Sequence, residues 1–508
     1  MYSYLLEKIN RQRLKYAAIG VMIFYFAANA FALLNFYPQH DSLIKAFIGA
    51  NNWEYQMGRF GQHLFGLLRG NGVITPWLIG IISVFSLIFI TYILTELFEL
   101  NKPVTIIAAA AVLSANITHT ELLSEFTWIE DICMAAALLV CFSIYLTYKT
   151  KSKVSRIISV VLLVFSASLY QSYISFAAVL VLMMIMKTLI QKKSFSFEDY
   201  KINFEQILMI AAAVLIYYAV NKTIQSVKGL TPAGGIYGLA ILQDENFSIR
   251  STLKTSIVPY IKWFLIKSKT SINIFQLCNW LLGGITVILF IYARKYKKIN
   301  IKTMVGFVIL FFASIITSTI IQMLTGAKGF RIIYSFYLFY ILTLFLVSHF
   351  SKILENIRFC SYIKAFVMVL VCIITWFNIV YSNGAFSVQK VLYDRAVSVW
   401  TRVLNDVYET PGYIHNQTPV VLVGDYRLNR YAYDITKEYK SELGISNTSI
   451  TYRQAAKYFL KIIGEETQMV LGNDEIARIS SLPDVKEMPS FPYEGYCKFA
   501  DGYLVIKF

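Results

Sequence analysis

The sequence lacks the cysteine patterns that mark metal sites and disulfide-stapled domains. Its six cysteines are Cys133, Cys141, Cys278, Cys360, Cys372 and Cys497. Most of them lie in or beside apolar runs, none has the spacing of a metal site, and the C-terminal tail has a single one, so no disulfide framework is expected. The chain also lacks internal repeats and low-complexity linkers. No small-residue cleavage site follows the first apolar run, which we therefore expect to be retained.

Charge is scarce inside the long apolar runs, and its distribution argues against a nucleic-acid partner. The net charge is +17. Residues 383–508 carry 14 Lys/Arg and 15 Asp/Glu, whereas residues 1–382 carry 33 and 15. The basic excess lies in short loops between apolar runs, as membrane topology requires. A protein that binds nucleic acid would instead concentrate its basic residues on one surface.

Long apolar runs are what the sequence has in abundance. Hydrophobic residues make up 57% of the chain, and the mean hydropathy is +0.56. About 20 apolar residues cross the ~30 Å hydrocarbon core of a bilayer as a helix. The sequence therefore predicts an α-helical polytopic membrane protein with about eleven transmembrane helices. The predicted spans are residues 16–36, 75–98, 103–119, 130–148, 155–171, 173–190, 204–222, 275–293, 303–324, 331–349 and 364–382.

The loops orient these spans. With eleven spans, the clusters of Lys and Arg all fall on one side, which the positive-inside rule makes cytoplasmic. The N-terminus is then cytoplasmic, the first outer loop covers about residues 37–74, and the tail is extracytoplasmic. We expect two domains, a transmembrane domain over residues 1–382 and a C-terminal extracytoplasmic domain over residues 383–508.

The tail has the pattern of a small α/β domain. Residues 386–408 have helical apolar spacing, Val420–Val423 reads as a short buried strand, and residues 455–463 and 475–480 read as helices. Asp501-Gly502 predicts a tight hairpin turn, because both residues tolerate a positive φ.

The first outer loop carries the most informative chemistry. Pro38 can end the first helix, so Asp41 is expected near the membrane interface, where a partly desolvated carboxylate can act as a base. Transfer of a sugar from a lipid phosphate would need such a base and a cation for the leaving phosphate. Arg59, Lys328 and Arg331 are the candidate cations. Asp41 could also be a solvated loop acid.

Other polar residues on the outer side have two readings each. The acids Glu54 and Asp131 could serve the site. Alternatively, Glu54 could pair with Arg59, which could also merely cap a helix, and the acidic cluster from Glu121 to Asp131 could be a solvated turn. Trp128 could contact a substrate or anchor the chain at the interface. Tyr170 and Gln171 could line a cavity or form a tight polar loop. No arrangement of residues specifies a metal site.

Together these pieces resemble the GtrII-like glucosyltransferases, bacterial and phage membrane proteins that decorate surface glycans. The resemblance covers almost the whole chain. It is carried by the acid after the first span, by Gly58-Arg59-Phe60, by Tyr170-Gln171, and by the ending Met488-Pro489-Ser490-Phe491-Pro492-Tyr493-Glu494-Gly495 with Gly502-Tyr503-Leu504-Val505-Ile506-Lys507. Each motif is short, and their order, spacing and shared topology make the match.

The resemblance implies a GT-C architecture in the bacterial cytoplasmic membrane. It implies a polyprenyl-phosphate sugar as donor, a surface glycan or its lipid-linked precursor as acceptor, and transfer of one sugar, glucose by family default, with inversion at the outer leaflet. No cofactor is expected, and the need for a divalent metal stays open.

The resemblance also assigns roles to residues. Asp41 takes the place of the family's base. Family members often have two adjacent acids there, and this chain has His40-Asp41, which leaves room for Glu54 or Asp131 as the second essential acid. Phe60 stands where the family usually has a larger aromatic. Lys507 corresponds to a C-terminal basic residue, which is either a contact to the lipid phosphate or a solvated strand end.

Two other functions compete with glycosyl transfer. A polymerase or ligase of lipid-linked polysaccharide would share the donor lipids and the topology, but such proteins usually place their key basic residues in a large late outer loop. A lipid or sugar transporter (flippase) would tend to show repeats and ionisable groups in mid-span. The acceptor could be O-antigen, teichoic acid or another surface polymer.

Overall fold

The computed structural model describes residues 10–38, 40–49, 51–70, 74–150, 152–192, 197–234, 249–266, 274–296, 299–325, 329–353, 358–426 and 453–508. It is mostly helical. The helices up to the middle of the chain are α1 Arg11–Leu34, α2 His40–Ile48, α3 Asn52–Gln56, α4 Gly61–Leu67, α5 Pro76–Leu97, α6 Pro103–Ser114, α7 Ile117–Glu125, α8 Glu130–Thr150, α9 Lys153–Leu169, α10 Tyr173–Gln191 and α11 Phe197–Val227.

The second half continues with α12 Ile249–Ile261, α13 Ile274–Lys295, α14 Ile301–Ser318, α15 Ile320–Thr325, α16 Leu338–Ile353 and α17 Arg358–Glu409, followed by β1 Pro419–Val423, α18 Arg453–Ile462, β2 Gln468–Met469, α19 Asn473–Ser481, α20 Pro483–Lys486, β3 Cys497–Ala500 and β4 Tyr503–Lys507. Short 3-10 turns occur at Thr127–Ile129, Phe330–Ile332 and Tyr334–Tyr337, and Lys262–Ile266 is a π-helical turn.

Ten stretches of the described chain are helical, long and apolar enough to cross a membrane, and each coincides with a predicted span. Local sequence explains several ends: Pro76 and Pro103 open α5 and α6, where a missing N–H costs nothing. The side chain of Asn10 caps α1, and that of Asn116 caps α7. The fold is therefore that of a polytopic helical membrane protein.

The predicted fifth span corresponds to α9, whose 17 residues fall short of a full apolar span. It nevertheless runs from one end of the bundle to the other. Near its start, Arg156 pairs with Glu205 at 2.8 Å, and at its end the carbonyl of Leu169 accepts from Gln62 Nε2 at 2.8 Å. The helix stops there because the backbone turns at Tyr170-Gln171-Ser172, where polar side chains replace the apolar run.

The two ends of the bundle differ in chemistry. At one end, Arg13 and Lys149 pair with Glu96, and buried Lys187 pairs with Glu99 at 2.6 Å. Basic residues from three of the clusters predicted to share one side thus meet at Glu96, in the last turn of α5, and at Glu99, in the loop that follows it. The opposite end collects the loops after α1, α7, α9, α11 and α15, and all the predicted site residues of the transmembrane half that the structure describes lie there.

The tail contains a four-stranded sheet in the order β2-β1-β4-β3, with β1 parallel to β2 and β4 and with β3 antiparallel to β4. Alternate residues of each strand point to opposite faces. Val421 and Val505 pack on α19 and α20, whereas Val420 and Leu504 join the main core beside α17. The predicted strand, helices and Asp501-Gly502 turn are present.

The predicted domain boundary at residue 383 lies inside α17, which continues from the last span without a break. Two contacts join this region to the segment after α1 and to the end of α7: Gln389 Nε2 donates to the carbonyls of Tyr37 and Ser124, at 2.6 Å each. The tail also contacts α2, since the ring of Tyr458 in α18 stacks on Phe47 with centroids 5.5 Å apart.

Candidate active site

Asp41 lies in the first turn of α2 and is half-buried. The helix begins just after buried Pro38, as expected from the sequence. The first turn of α2 is fixed by Ser42, the residue after Asp41. The Ser42 hydroxyl donates to the carbonyl of Glu125 at 2.9 Å and accepts from the N–H of Thr127 at 3.1 Å. These two bonds hold the first turn of α2, which contains Asp41, beside the segment that connects α7 and α8.

Glu54 is fully buried and already has two structural partners. One carboxylate oxygen accepts from the Lys45 ammonium, and the other accepts from the N–H of Asn51 at 2.7 Å, closing a capping box at the start of α3. Lys45 also donates to the carbonyl of Gly49 at 3.2 Å. Sequence reasoning missed Lys45, although its position one helical turn after Asp41 could have drawn attention to it.

Arg59, Tyr170 and Gln171 come together, although Arg59 is 112 residues away from Gln171 in sequence. The Arg59 Nε donates to Gln171 Oε1 at 3.3 Å, and its guanidinium carbon lies 4.5 Å from the centroid of the Tyr170 ring. This geometry is that of a cation–π contact. Arg59 has no carboxylate partner in the described part of the chain.

Tyr217, which sequence reasoning missed, completes this cluster. Its hydroxyl accepts from Gln171 Nε2 at 2.9 Å and donates to the carbonyl of Gly58 at 3.0 Å. Gln171 Nε2 also donates to the carbonyl of Met57 at 2.6 Å. Gly58 has φ +75°, and a Cβ there would lie 2.3 Å from the Tyr217 oxygen. The turn before Arg59 thus requires glycine.

The loop beside this cluster is fixed by stacking. The rings of Tyr55 and His63 stack with centroids 4.1 Å apart, and the Lys228 ammonium lies 4.3 Å from the Tyr55 ring. His63 Nε2 donates to the carbonyl of Asn51 at 3.0 Å. Burial lowers the pKa of His63 from its ordinary value of 6.5, so the ring is neutral at physiological pH.

Trp128 and Asp131 are connected by Arg69, another residue missed from the sequence. Arg69 Nη1 donates to the carbonyl of Trp128 at 2.9 Å and lies 3.4 Å from Asp131 Oδ1. The Lys45 ammonium is 5.1 Å from the Trp128 ring. Within the described residues, Asp131 Oδ2 and the Trp128 Nε1 are buried without a hydrogen-bond partner.

Glu130, next to Asp131, belongs to a buried polar network. Its carboxylate accepts from Tyr25 Oη at 3.0 Å and from the hydroxyl of Ser83, and it lies 3.0 Å from His119 Nδ1. His119 Nε2 lies 3.0 Å from the carbonyl of Leu113, which can only accept, so this nitrogen carries a hydrogen. The network fixes the N-terminus of α8 and with it the backbone of Asp131.

Arg331 lies at the same end of the bundle but already pairs with an acid. Its Nη1 is 2.5 Å from Glu121 Oε1, and its guanidinium lies 4.1 Å from the Phe126 ring. Burial alone would lower the pKa of Arg331, but the Glu121 carboxylate outweighs it and raises the pKa. Glu121 also accepts the N–H groups of Phe330 and Arg331. Lys328 lies outside the described residues.

Lys507 lies away from this site, in β4. Its ammonium donates to the carbonyls of Val485, Lys486 and Met488 at 3.1, 2.8 and 2.7 Å. These are carbonyls at the end of α20, which a cation stabilises.

Comparison with known protein families gives a match that covers this site. A family model described as glucosyl transferase GtrII matches residues 30–348. This is more than half of the chain.

The chain belongs to the glucosyl transferase GtrII family.

Membership of the GtrII family makes the protein a membrane-embedded glycosyltransferase with a sugar donor and a glycan acceptor. The search of curated proteins and the search of solved structures found no match. The segment that matches the GtrII family contains the clusters around Asp41, Arg59, Asp131 and Arg331. Lys507 and the sheet lie beyond it.

The GtrII segment has no evident metal centre within the part of the chain that the structure describes. No group of three or more His, Cys, Asp and Glu side chains lies close enough there to hold an ion. Three described acids of the site are instead paired with cations: Glu54 with Lys45, Asp131 with Arg69, and Glu121 with Arg331.

Proposed function

We propose that this protein transfers a single glucose from a polyprenyl-phosphate donor to a cell-surface glycan, or to its lipid-linked precursor, at the outer face of the bacterial cytoplasmic membrane. The observation that carries the proposal is the Arg59 cluster. It presents a guanidinium held by Gln171 and Tyr170, with no carboxylate partner among the described residues, at the same end of the bundle as Asp41.

Arg59 suits the donor phosphate better than Arg331 does. A guanidinium binds phosphate through paired N–H donors, and the contact is strongest where water is excluded. Arg331 has its charge opposed by Glu121 at 2.5 Å, so a phosphate would have to compete with a carboxylate. The contacts of the Arg59 side chain among the described residues are an amide oxygen and an aromatic face.

Asp41 is the proposed base. Its carboxylate takes the proton of an acceptor hydroxyl as that oxygen attacks the anomeric carbon. The bond between the anomeric carbon and the phosphate oxygen breaks on the opposite face, so the configuration inverts. Polyprenyl phosphate leaves with the bonding electrons, and Arg59 stabilises its negative charge.

Glu54 and Asp131 are the proposed alternatives for a second acid, and their contacts favour supporting roles. Glu54 closes the turn between α2 and α3 through Lys45 and Asn51. Asp131 is buried against Arg69. Trp128 lies between them, with its ring toward Lys45 and its carbonyl bound by Arg69.

The test is glucosyl transfer by purified protein in detergent from polyprenyl-phosphate glucose to a lipid-linked acceptor. We expect Asp41→Asn to lower kcat by roughly 10²–10⁴-fold, the usual contribution of a general base. Asp474→Asn, which removes an exposed carboxylate in the tail, should leave kcat unchanged. Full activity of Asp41→Asn at normal expression would disprove the assignment of the base. A wild type inactive with every polyprenyl-phosphate sugar would disprove the reaction.

A further inference from the structure

The tail contains a cleft that the proposed reaction does not use. Its volume is about 780 Å³, within the range of small-molecule binding sites. One wall is the end of α17 with the turn that follows, residues 406–411, and the other is residues 492–499 with the first part of β3. The cleft lies wholly outside residues 30–348, which match the GtrII family.

The walls of this cleft combine hydrogen-bond acceptors with an aromatic face. Asp406, Glu409 and Glu494 contribute three carboxylates, and Lys498 is the single cation among the lining residues. Glu409 is exposed, and neither it nor Glu494 has an ion pair or hydrogen bond within the described chain. The Phe499 ring is 38% exposed at the edge of the cleft.

Asp406 is oriented by the opposite wall. Its carboxylate accepts from Tyr496 Oη at 2.7 Å, so the hydroxyl crosses from one wall to the other. Burial and the Asp406 carboxylate raise the pKa of Tyr496, which therefore stays protonated as the donor. This bond holds the two walls at a fixed separation while leaving Glu409 and Glu494 free to accept from a ligand.

We propose that this cleft binds the acceptor, and that the acceptor is a neutral glycan. The inference rests on the proposed function, because a glycosyltransferase must hold an acceptor as well as a donor. Carboxylates only accept hydrogen bonds, and sugar hydroxyls donate them. The apolar face of a sugar ring packs on an exposed aromatic ring such as Phe499.

The same charges exclude a polyanionic acceptor. Three carboxylates against one ammonium give the cleft a negative potential, and a chain of phosphodiesters would be repelled at contact distance. Of the acceptors that the sequence leaves open, an uncharged polysaccharide fits and a teichoic-acid type polymer does not.

The cleft is also connected to the proposed base. Tyr408, in the last turns of α17, donates to Glu465, just beyond the end of α18. Helix α18 packs on α2, where Tyr458 stacks on Phe47. Helix α17 thus forms one wall of the cleft and contacts the region of α18, and α18 in turn packs on the helix that carries Asp41.

Two measurements test the proposal, with full-length protein in lipid nanodiscs. The first is binding, without donor, of neutral polysaccharide released from the host surface and of poly(glycerol phosphate). We expect wild type to bind the first and not the second. Glu409→Gln/Glu494→Gln should weaken binding by about tenfold or more, since two charge-assisted hydrogen bonds are weakened. Asp474→Asn/Glu487→Gln removes the same charge from exposed sites outside the cleft and should bind like wild type.

The second measurement is the acceptor KM in the transfer assay. We expect Glu409→Gln/Glu494→Gln to raise the acceptor KM by the factor by which it weakens binding, and to leave kcat and the donor KM unchanged. An unchanged affinity and acceptor KM in this variant, or preferential binding of poly(glycerol phosphate), would overturn the proposal. If wild type transfers no sugar, the proposed function fails instead, and the binding assay alone decides whether the cleft takes neutral glycan.

Discussion

At the scale of single residues, the site depends on backbone positions as much as on charged groups. Gly58 adopts φ +75°, and its missing side chain leaves room for the Tyr217 hydroxyl that bonds to both Gly58 and Gln171. Arg59 is the next residue, so the conformation of this turn sets the orientation of its side chain. A sequence motif such as Gly-Arg therefore encodes one backbone conformation and one cation.

We predict that Gly58→Ala impairs donor use. The added Cβ would lie 2.3 Å from the Tyr217 oxygen, so the turn must shift and Arg59 with it. A misplacement of this kind can cost about 10²-fold in rate. The measurement is the donor KM and kcat of sugar transfer.

Gly70→Ala provides the matched control. Gly70 has the same φ of +75°, but no heavy atom of the described residues that could clash lies within 4 Å of its Cβ position. Both variants therefore carry the conformational cost of an alanine in the left-handed region, whereas Gly58→Ala also creates a steric clash. Equal activity of the two variants would contradict the steric argument.

At the scale of elements, the first outer loop is organised by the pair Lys45–Glu54. The pair joins α2 to α3, places the Lys45 ammonium 5.1 Å from the Trp128 ring, and leaves the carbonyl of Glu54 to accept from the N–H of Arg59 at 2.7 Å. The proposed base and the proposed phosphate ligand thus lie on segments that this pair holds together.

Breaking this pair should cost stability and activity together. Lys45→Met leaves the buried Glu54 carboxylate without its cation, which typically costs about 3–5 kcal/mol. Lys45→Met/Glu54→Gln removes the uncompensated charge and should recover much of the unfolding free energy. Thermal unfolding and transfer activity of both variants are the measurements.

The exposed pair Lys390–Asp394 is the control for that experiment. Its side chains are 45% and 55% exposed, and surface pairs contribute little. Lys390→Met should therefore leave the melting temperature near that of wild type. If Lys390→Met lowered the melting temperature as much as Lys45→Met does, the removal of a charge, and not the burial of its partner, would explain the destabilisation.

The elements themselves were largely predictable, and the contacts between them were not. Apolar length predicted the ten membrane-crossing stretches because the bilayer sets that length, and Val420–Val423 and Asp501-Gly502 predicted β1 and the β3–β4 turn. Glu54 was read as a candidate second acid because His40-Asp41 leaves one acid where the family often has two. Its pairing with Lys45 depends on how the chain turns between α2 and α3, which the sequence did not predict. Arg59 was a candidate cation for the donor phosphate and Gln171 a candidate cavity residue, and only the fold shows that they touch.

At the scale of the whole molecule, the topology follows from how the loops gather. Arg13, Lys149 and Lys187 meet at one end of the bundle, whereas Arg59, Gln171 and Arg331 lie at the other. The 17-residue helix α9 connects these two ends, as a crossing helix would. If α9 crosses the membrane together with the ten longer stretches, the count is odd, and we expect the chain termini on opposite sides.

We predict that the N-terminus is cytoplasmic and the tail extracytoplasmic. Alkaline phosphatase fused after Phe508 should be active, and green fluorescent protein at the same position should be dark. Fusions after Lys192, in a predicted cytoplasmic loop, should give the reverse. Bright fluorescence at Phe508 would mean that one of the eleven helices does not cross, and would place the tail and its cleft on the donor-synthesising side of the membrane.

Helix α17 sets the separation between the cleft in the tail and the start of the first outer loop. Gln389 in this helix contacts the start of the first outer loop at Tyr37, and Asp406 at the cleft lies 17 residues further along the same helix. At a rise of 1.5 Å per residue, this separation is about 25 Å. If the cleft binds the acceptor as proposed, the glycan has to extend along about this length of α17 to bring a hydroxyl to the segment that carries Asp41. A single sugar is too short to do so, and the helix would select glycans that have already grown to several units.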